Sequence, residues 1–322
     1  MSKETPEDGR KKIIIAGLDN AGKTSMLKLV KNKMIDFLSI APTRGIDRSE
    51  ARILGNQIAV HDFGGQSRYR KDYLEQPRYF DETNAYIFVI DLQDKDRYEL
   101  SLEYFDNSLQ LLHEMEIKPN IFIFFHKYDG DYLVDYNDEH KHIREEFNTL
   151  KYRLTDLAKR YNFDVRDMFK TSIYEEWSVY TAFYDVWVSI IIRLKSIQAY
   201  LERLLEELEH VKLSMLLDAQ GNLIAKELGK KFDDKSDEII DLAKKSLNLF
   251  LEMKKTGFQQ EDDGYIVISL EQETIYMQRV DSKEGLLYLV VLRDGVEYTD
   301  MKQTMMKFAD SLTVFINTQT PK

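Results

Sequence analysis

The chain has 322 residues, with 45 Lys and Arg against 56 Asp and Glu and a net charge of −11. A hydrophobic content of 43% is enough for packed cores and excludes a disordered chain, while the acidic balance argues against nucleic acid and anionic lipid as partners, since both need clustered Lys and Arg. With no cysteine, disulfides, thiolate catalysis and cysteine-ligated zinc are all excluded.

The length has a prior of roughly two domains of about 100–200 residues each. Met1-Ser2-Lys3-Glu4 opens no signal-peptide pattern and offers no glycine for myristoylation; the closing Pro321-Lys322 forms no prenylation box. No apolar run reaches the roughly 18 residues a membrane span needs. A cytoplasmic protein is expected, with no transmembrane span or lipid anchor, reaching membranes only through partners.

Taken in chain order, Ile13 to Ala16 is a continuous apolar run, the pattern of a strand buried on both faces. Glycines break it, and helical spacing follows from Lys23 to Lys31. Strands over Ser49–Leu54 and Gln57–Asp62 flank a hairpin turn at Leu54-Gly55-Asn56-Gln57. Two more buried strands, Tyr86–Ile90 and Ile121–Phe125, are each followed by a helix, Asp96–Glu114 and Asn137–Tyr161. A short strand at Met168–Thr171 precedes a helix over Val179–Leu194. Strands separated by helices predict a mainly parallel α/β sheet covered on both faces, with ligands bound beyond the carboxyl ends of its strands.

The pattern changes after Leu194. A charged amphipathic helix over Ile197–Val211 leads to strands Leu213–Leu217 and Asn222–Ala225 around Asp218-Ala219-Gln220-Gly221. A helix over Ser236–Met253, strands Tyr265–Leu270, Thr274–Val280 and Leu286–Leu292, and a helix over Tyr298–Phe315 complete a smaller α+β unit. In the last helix Met301, Met305, Phe308, Leu312 and Phe315 fall on one face, which reads first as intrachain core.

Gly17-Leu18-Asp19-Asn20-Ala21-Gly22-Lys23-Thr24 matches G-x-x-x-x-G-K-[ST] between a buried strand and a helix. The glycines let backbone N–H groups turn inward around a phosphate at the positive end of the helix dipole. Lys23 then pairs with phosphate oxygens and Thr24 places a hydroxyl on Mg²⁺. Asp19 falls beside the γ-phosphate, where an acid is unfavourable unless it points away; a solvated turn residue is the other reading.

Asp62-Phe63-Gly64-Gly65-Gln66 sits at a strand end. Asp62 reaches Mg²⁺ through water, the Gly65 N–H approaches the γ-phosphate, and Gln66 orients an attacking water. Thr43, in the loop after the first helix, supplies a second hydroxyl to the metal. His126-Lys127-Tyr128-Asp129 follows a buried strand. A carboxylate accepts from both the ring N–H and the exocyclic amine of guanine, a donor pair that adenine lacks, while the Lys stem lies over the purine face. Backbone N–H groups of Thr171-Ser172-Ile173 are placed to meet the guanine oxygen.

Together these residues resemble the five motifs of the Ras superfamily of small GTPases, over Lys11 to Leu194. The phosphate loop is similar to the Arf and Sar branch. Ile53-Leu54-Gly55-Asn56-Gln57, the His of His126-Lys127-Tyr128-Asp129, and Thr171-Ser172-Ile173-Tyr174-Glu175-Glu176 with Trp177 resemble the Rag/Gtr family. The tail decides between them, because Rag proteins carry a roadblock-type α+β domain after the GTPase. The resemblance implies a small GTPase domain over 11–195, a connecting helix over 196–210 and a roadblock- or longin-like dimerisation domain over 211–318. The Arf-like loop and the missing cysteines add the impression of a prokaryotic, archaeal relative.

The expected nucleotide-binding set is Asp19, Asn20, Ala21, Gly22, Lys23, Thr24, Ser25, Thr43, Gly65, His126, Lys127, Asp129, Ser172 and Ile173. Thr24, Thr43 and Asp62 are the expected Mg²⁺ ligands, and Gln66 the catalytic residue. The expected partners are GTP and GDP, a second copy or a related chain bound through 211–318, and activating and exchange proteins. The leading reading is a switch that hydrolyses GTP slowly, at about 10⁻⁴–10⁻³ per second unaided. A scaffold that holds guanine nucleotide with negligible hydrolysis is the alternative; an ATP-using P-loop enzyme is disfavoured by Asp129. Other features read as ordinary surface: the charged loop Asp91–Asp96, the solvated His140 and His142, and Lys151, Arg153, Lys159 and Arg160 with Tyr152 and Tyr161.

Overall fold

Strand β1 (Lys11–Gly17) pairs in parallel with β4 (Asn56–Phe63) on one side and β5 (Ala85–Asp91) on the other; β6 (Asn120–His126) and β7 (Val165–Thr171) extend the sheet in parallel. Strand β3 (Ile46–Ile53) runs antiparallel to β4, and β2 (Phe37–Thr43) antiparallel to β3, for the order β2-β3-β4-β1-β5-β6-β7. The computed structural model describes residues 10–318 apart from 34–36, 44, 55, 130–140, 220–222, 230–244, 247, 250–251, 253–263, 270–272, 284 and 296–299. In 32–33, 37–43, 52 and 141–144 it describes the backbone alone.

The apolar runs bury both faces. Every residue of β5 is buried, as are Ile121 to His126 of β6. Because side chains alternate across a strand, Ile14, Phe88, Ile123 and Phe125 enter one core with Tyr73 of α2 (Ser67–Glu75), Phe105 and Leu109 of α3 (Tyr98–Glu114) and Leu154 of α4 (Lys141–Arg160). Phe124, on the other face, meets Phe183 of α5 (Glu176–Ile190) edge-on at 5.4 Å. Helix α1 (Lys23–Lys33) packs against β1 and α5. The carboxyl ends of β1, β4, β5, β6 and β7 lie in register along one edge, with Ile15 opposite Asp62, Asp91 opposite His126 and His126 opposite Thr171.

Several elements differ from the sequence expectation. Thr43 is the last residue of strand β2, not a loop residue, because Phe37–Ile40 find backbone partners in Arg48–Ala51. Helix α2 has no apolar periodicity to announce it; Tyr73 is its one buried residue. The helix expected over Val179–Leu194 stops at Ile190. Ile191 is buried and extended (φ −108°, ψ 104°), and α6 (Ile192–Glu207) begins after it.

The chain divides into two units, Met1–Ile190 and Ile191–Lys322. The helix expected as a connector over 196–210 is therefore α6 of the second unit, where it packs on β8 (Val211–Asp218) and β9 (Leu223–Leu228) through Ile197, Leu201 and Leu204. This unit holds an antiparallel sheet of order β10-β11-β12-β8-β9, with β10 at Tyr265–Ser269, β11 at Glu273–Ser282 and β12 at Gly285–Asp294. The last helix, α7 (Met301–Thr318), packs on β11 and α6 through Met301, Met305, Leu312 and Ile316. Arg193 donates to the Ile316 carbonyl at 2.7 Å and the Tyr200 hydroxyl to that of Phe308 at 3.2 Å, so this apolar face is core within the chain. Of the helix expected over Ser236–Met253 the described residues 245–246, 248–249 and 252 are helical, while Gly55 and Gln220-Gly221 of the two expected turns lie outside the described residues. Among the described residues no helix is long and apolar enough to cross a membrane.

Candidate functional site

Five strand ends along one edge of a parallel sheet make a crevice. Here the ends of β1, β5, β6 and β7 surround a cavity of about 750 Å³ lined by Asn20, Gly22, Lys23, Thr24, Ser25, Gln93, His126, Lys127, Asp129, Ile173 and Tyr174. Residues far apart in sequence meet there because each follows the carboxyl end of β1, β5, β6 or β7.

The phosphate loop turns between Gly17 and α1. Asn20 (φ 64°) and Gly22 (φ 87°) have left-handed backbones, which turn successive N–H groups to one side and form a concavity for an anion. A Cβ on Gly22 would lie 2.2 Å from the His126 ring, so only glycine fits. His126 is itself buried, with Nδ1 3.0 Å from the Thr171 hydroxyl, and burial lowers its pKa to about 4, with the Lys127 charge adding. It is a neutral packing residue wedged between the loop and β7.

Lys23 is buried, and its ammonium donates to the carbonyls of Leu18 at 2.7 Å and Gly17 at 3.1 Å. Burial lowers its pKa to about 8 against the opposing charges of Asp62 and Asp19. A phosphate at this position restores the compensating negative charge. Thr24 donates to Asp62 Oδ2 at 2.6 Å, and burial raises the Asp62 pKa, opposed by that bond and by Lys23. The other oxygen, Oδ1, is buried with no hydrogen-bond partner among the described residues. A hydroxyl beside a carboxylate with an orphaned oxygen fits a hydrated Mg²⁺, a hard cation that takes few protein oxygens and keeps its waters. Among the described residues no three His, Cys, Asp or Glu cluster as a self-sufficient metal site. Thr43 contributes only a backbone position, since its side chain lies outside the described residues.

In the part of the cavity beyond β5 and β6, Lys127 (φ 59°) sends its ammonium to Asp91 Oδ2 at 2.6 Å, and Gln93 donates to the Lys127 carbonyl at 3.1 Å and to Asp129 Oδ2 at 3.0 Å. The loop Asp91–Asp96, expected to be solvated, is thus partly built into the site, and Asp91 is buried. Ser172 does not line the cavity. Its N–H is taken by the Ser178 hydroxyl at 3.0 Å, while its own hydroxyl accepts from the Tyr174 N–H at 3.1 Å, which presents Ile173 and Tyr174 instead. Ala21 is buried behind the loop, where its N–H faces the Leu18 carbonyl at 3.4 Å. Asp19 points away from the cavity to Arg97. Gln93, Tyr174, Asp91 and Arg97 are the residues that sequence reasoning missed. Only the parallel registers of β5 with β6 and of β6 with β7 could have brought the first three forward.

Gly65 lies against the phosphate loop so closely that a Cβ would be 2.0 Å from the Asp19 nitrogen. Gln66 caps the N-terminus of α2 and is exposed, its carbonyl accepting from Tyr69 and Arg70 and its side chain making no capping bond. The Gly64 N–H is shared between the Gly45 carbonyl (3.0 Å) and the Tyr73 hydroxyl (3.0 Å), and that hydroxyl donates to the same Gly45 carbonyl at 2.9 Å. Tyr73 therefore ties the turn after Thr43 to the segment Gly64–Gln66. Tyr73→Phe is expected to cost about 1–3 kcal/mol and lower the midpoint of thermal unfolding by about 2–8 °C, read by calorimetry; an unchanged midpoint would show the bridge contributes nothing.

The residues 12–243 match the model of the "Gtr1/RagA G protein conserved region". The chain is 24% identical over 236 residues to "GTP-binding protein GTR1" of Saccharomyces cerevisiae, covering 71% of this chain and 73% of that one. It is 34% identical over 123 residues to "ADP-ribosylation factor-like protein 3" of Chlamydomonas reinhardtii, covering 38% of this chain and 66% of that one. "ADP-ribosylation factor-like protein alp41" of Schizosaccharomyces pombe is 33% identical over 120 residues, covering 37% and 60% respectively.

Proposed function

The chain belongs to the Gtr1/RagA G-protein family, and from that premise we propose that it is a guanine-nucleotide switch that binds GTP and GDP with Mg²⁺ and slowly hydrolyses GTP. One observation carries the reading: a single cavity holds the phosphate-loop residues Gly22, Lys23 and Thr24 at one part and Lys127, Asp129 and Ile173 at another. Phosphate cradle and guanine-selecting carboxylate are thus presented to one ligand. Thr24 and Asp62 are the residues that would hold Mg²⁺, which neutralises charge across the terminal phosphates. Lys23 orients the phosphate chain, and Asp129 accepts the two donors on the guanine edge.

Gly65 is the contact that a γ-phosphate would displace. It closes on Asp19 and Leu18, so a triphosphate requires the Gly64–Gln66 segment to shift, and that shift carries Gln66 from its exposed position toward the attacking water. Differential contact with the two segment positions is what a partner reads. Single-turnover hydrolysis tests the enzyme reading: Gln66→Leu is expected to slow it about 10-fold or more while GTP affinity holds. Equal rates would leave a nucleotide-holding scaffold. Activating and exchange proteins follow from slow intrinsic chemistry.

The second unit supports a further part of the proposal. Its antiparallel sheet, covered by α6 and α7, is compatible with a roadblock-like domain, and the edges of such a sheet are normally blunted, covered or paired with another chain. We read 211–318 as the dimerising segment, with a second copy or a related chain. Light scattering tests this: full-length protein is expected to run as a dimer at tens of micromolar, and a monomeric mass would overturn it.

A further inference from the structure

One anchor of the phosphate loop comes from outside its motifs. Arg97, in the 3-10 turn Lys95–Arg97 before α3, donates from Nη1 to the Asp19 carboxylate at 3.0 Å and from Nη2 to the Asp19 main-chain oxygen at 2.9 Å. Its Nε donates to Asp94 Oδ2 at 2.5 Å, so each of the three guanidinium nitrogens is engaged. We propose that Arg97 is a positioning residue of the phosphate site, which aims the Asn20 N–H at the phosphates and cancels the Asp19 charge where a γ-phosphate arrives. The proposal rests on the nucleotide-switch reading above.

The geometry has two parts. In a planar trans peptide the carbonyl and the following N–H point in opposite directions. Arg97 takes the Asp19 carbonyl from the side of a small separate cavity lined by Leu18, Ala21, Asp94 and Arg97, while Asn20, Gly22 and Lys23 line the large one. Fixing that carbonyl outward turns the Asn20 N–H inward, in agreement with the left-handed Asn20 (φ 64°). A lysine in place of Arg97 would keep the charge and lose the fork that holds carbonyl and carboxylate at once.

The second part is electrostatic. The Asp19 main-chain nitrogen lies on the side of the loop against which Gly65 packs, the side that the switch reading gives to the γ-phosphate. Two carboxylates, Asp19 and Asp94, share one guanidinium, and Asp19 keeps 43% of its side chain exposed. Without Arg97 its unpaired charge is free to face the loop. A triphosphate carries more negative charge than a diphosphate and brings it closer, so the penalty falls mainly on GTP. This accounts for an acidic residue being tolerated in a phosphate loop.

The test measures affinities of the full chain for fluorescent GDP and for a fluorescent non-hydrolysable GTP analogue in Mg²⁺. Arg97→Ala is expected to weaken the triphosphate about 10-fold or more and the diphosphate by less than about threefold. Arg97→Lys should fall between, and Arg97→Ala with Asp19→Asn should return the GTP-to-GDP ratio to within about threefold of wild type. Equal weakening or no weakening of both ligands in Arg97→Ala, or a double variant whose ratio stays as low as the single, would overturn the proposal. Diphosphate binding reports that each variant is folded; if Arg97→Ala does not fold, an unchanged ratio in Arg97→Lys overturns it. Wild-type protein that binds neither nucleotide would instead overturn the switch reading.

Discussion

Lys23→Ala is expected to weaken GDP and GTP binding by roughly 10²–10⁴-fold, the largest effect of any single substitution in the site. The ammonium supplies charge-assisted hydrogen bonds to phosphate oxygens, worth about 1.5–3 kcal/mol each, and two such bonds give that range. Among cations close to the loop, Arg97 is engaged by Asp19 and Asp94, and Lys127 by Asp91. The variant also leaves the carbonyls of Gly17 and Leu18 without their ammonium partner, so a lower unfolding midpoint is expected alongside the lost affinity. Fluorescence titration measures the first and calorimetry the second. A dissociation constant within about threefold of wild type, about 0.7 kcal/mol, would mean that the loop is a structural turn.

Asp129→Asn is expected to lower GTP affinity by roughly 10–100-fold and to raise affinity for xanthosine triphosphate. The carboxylate offers acceptors only, matching two donors on guanine; Asn replaces one acceptor by a donor and meets the additional oxygen of xanthine. Leaving a desolvated donor unpaired costs about 1–3 kcal/mol, which sets the size of the loss. Gln93 sharpens the effect, because its amide already donates to Asp129 Oδ2 at 3.0 Å and helps fix which oxygen faces the base. Competition among GTP, ATP and xanthosine triphosphate reads the outcome. Unaltered selectivity would place base recognition elsewhere.

Strands β1, β5 and β6 and the phosphate loop were legible in the sequence because their causes are local. Continuous apolar runs such as Tyr86–Ile90 suit a strand covered on both faces, and Gly17, Gly22, Lys23 and Thr24 match a phosphate-loop pattern through spacing alone. Asp129 was likewise legible, as it directly follows a buried strand. From these, the sequence by itself determined a mainly parallel α/β sheet and a strand–helix turn of phosphate-loop spacing at its carboxyl edge.

Only the tertiary structure decided the rest. Phe37–Thr43 has no alternating pattern and becomes a strand because β3 offers it a backbone edge. The chain from Trp187 to Leu194 carries neither glycine nor proline, yet it breaks at Ile191, whose buried side chain opens the second compact unit. Asp19 looked misplaced beside a phosphate until Arg97, 78 residues away, was found holding it, and Asp91 looked solvated until Lys127 closed on it across 36 residues. Spacing along the chain reports periodicity within an element. Which charge meets which is set by strand order and register, because pairing β1 with β5 and β5 with β6 brings their terminal loops within hydrogen-bond reach.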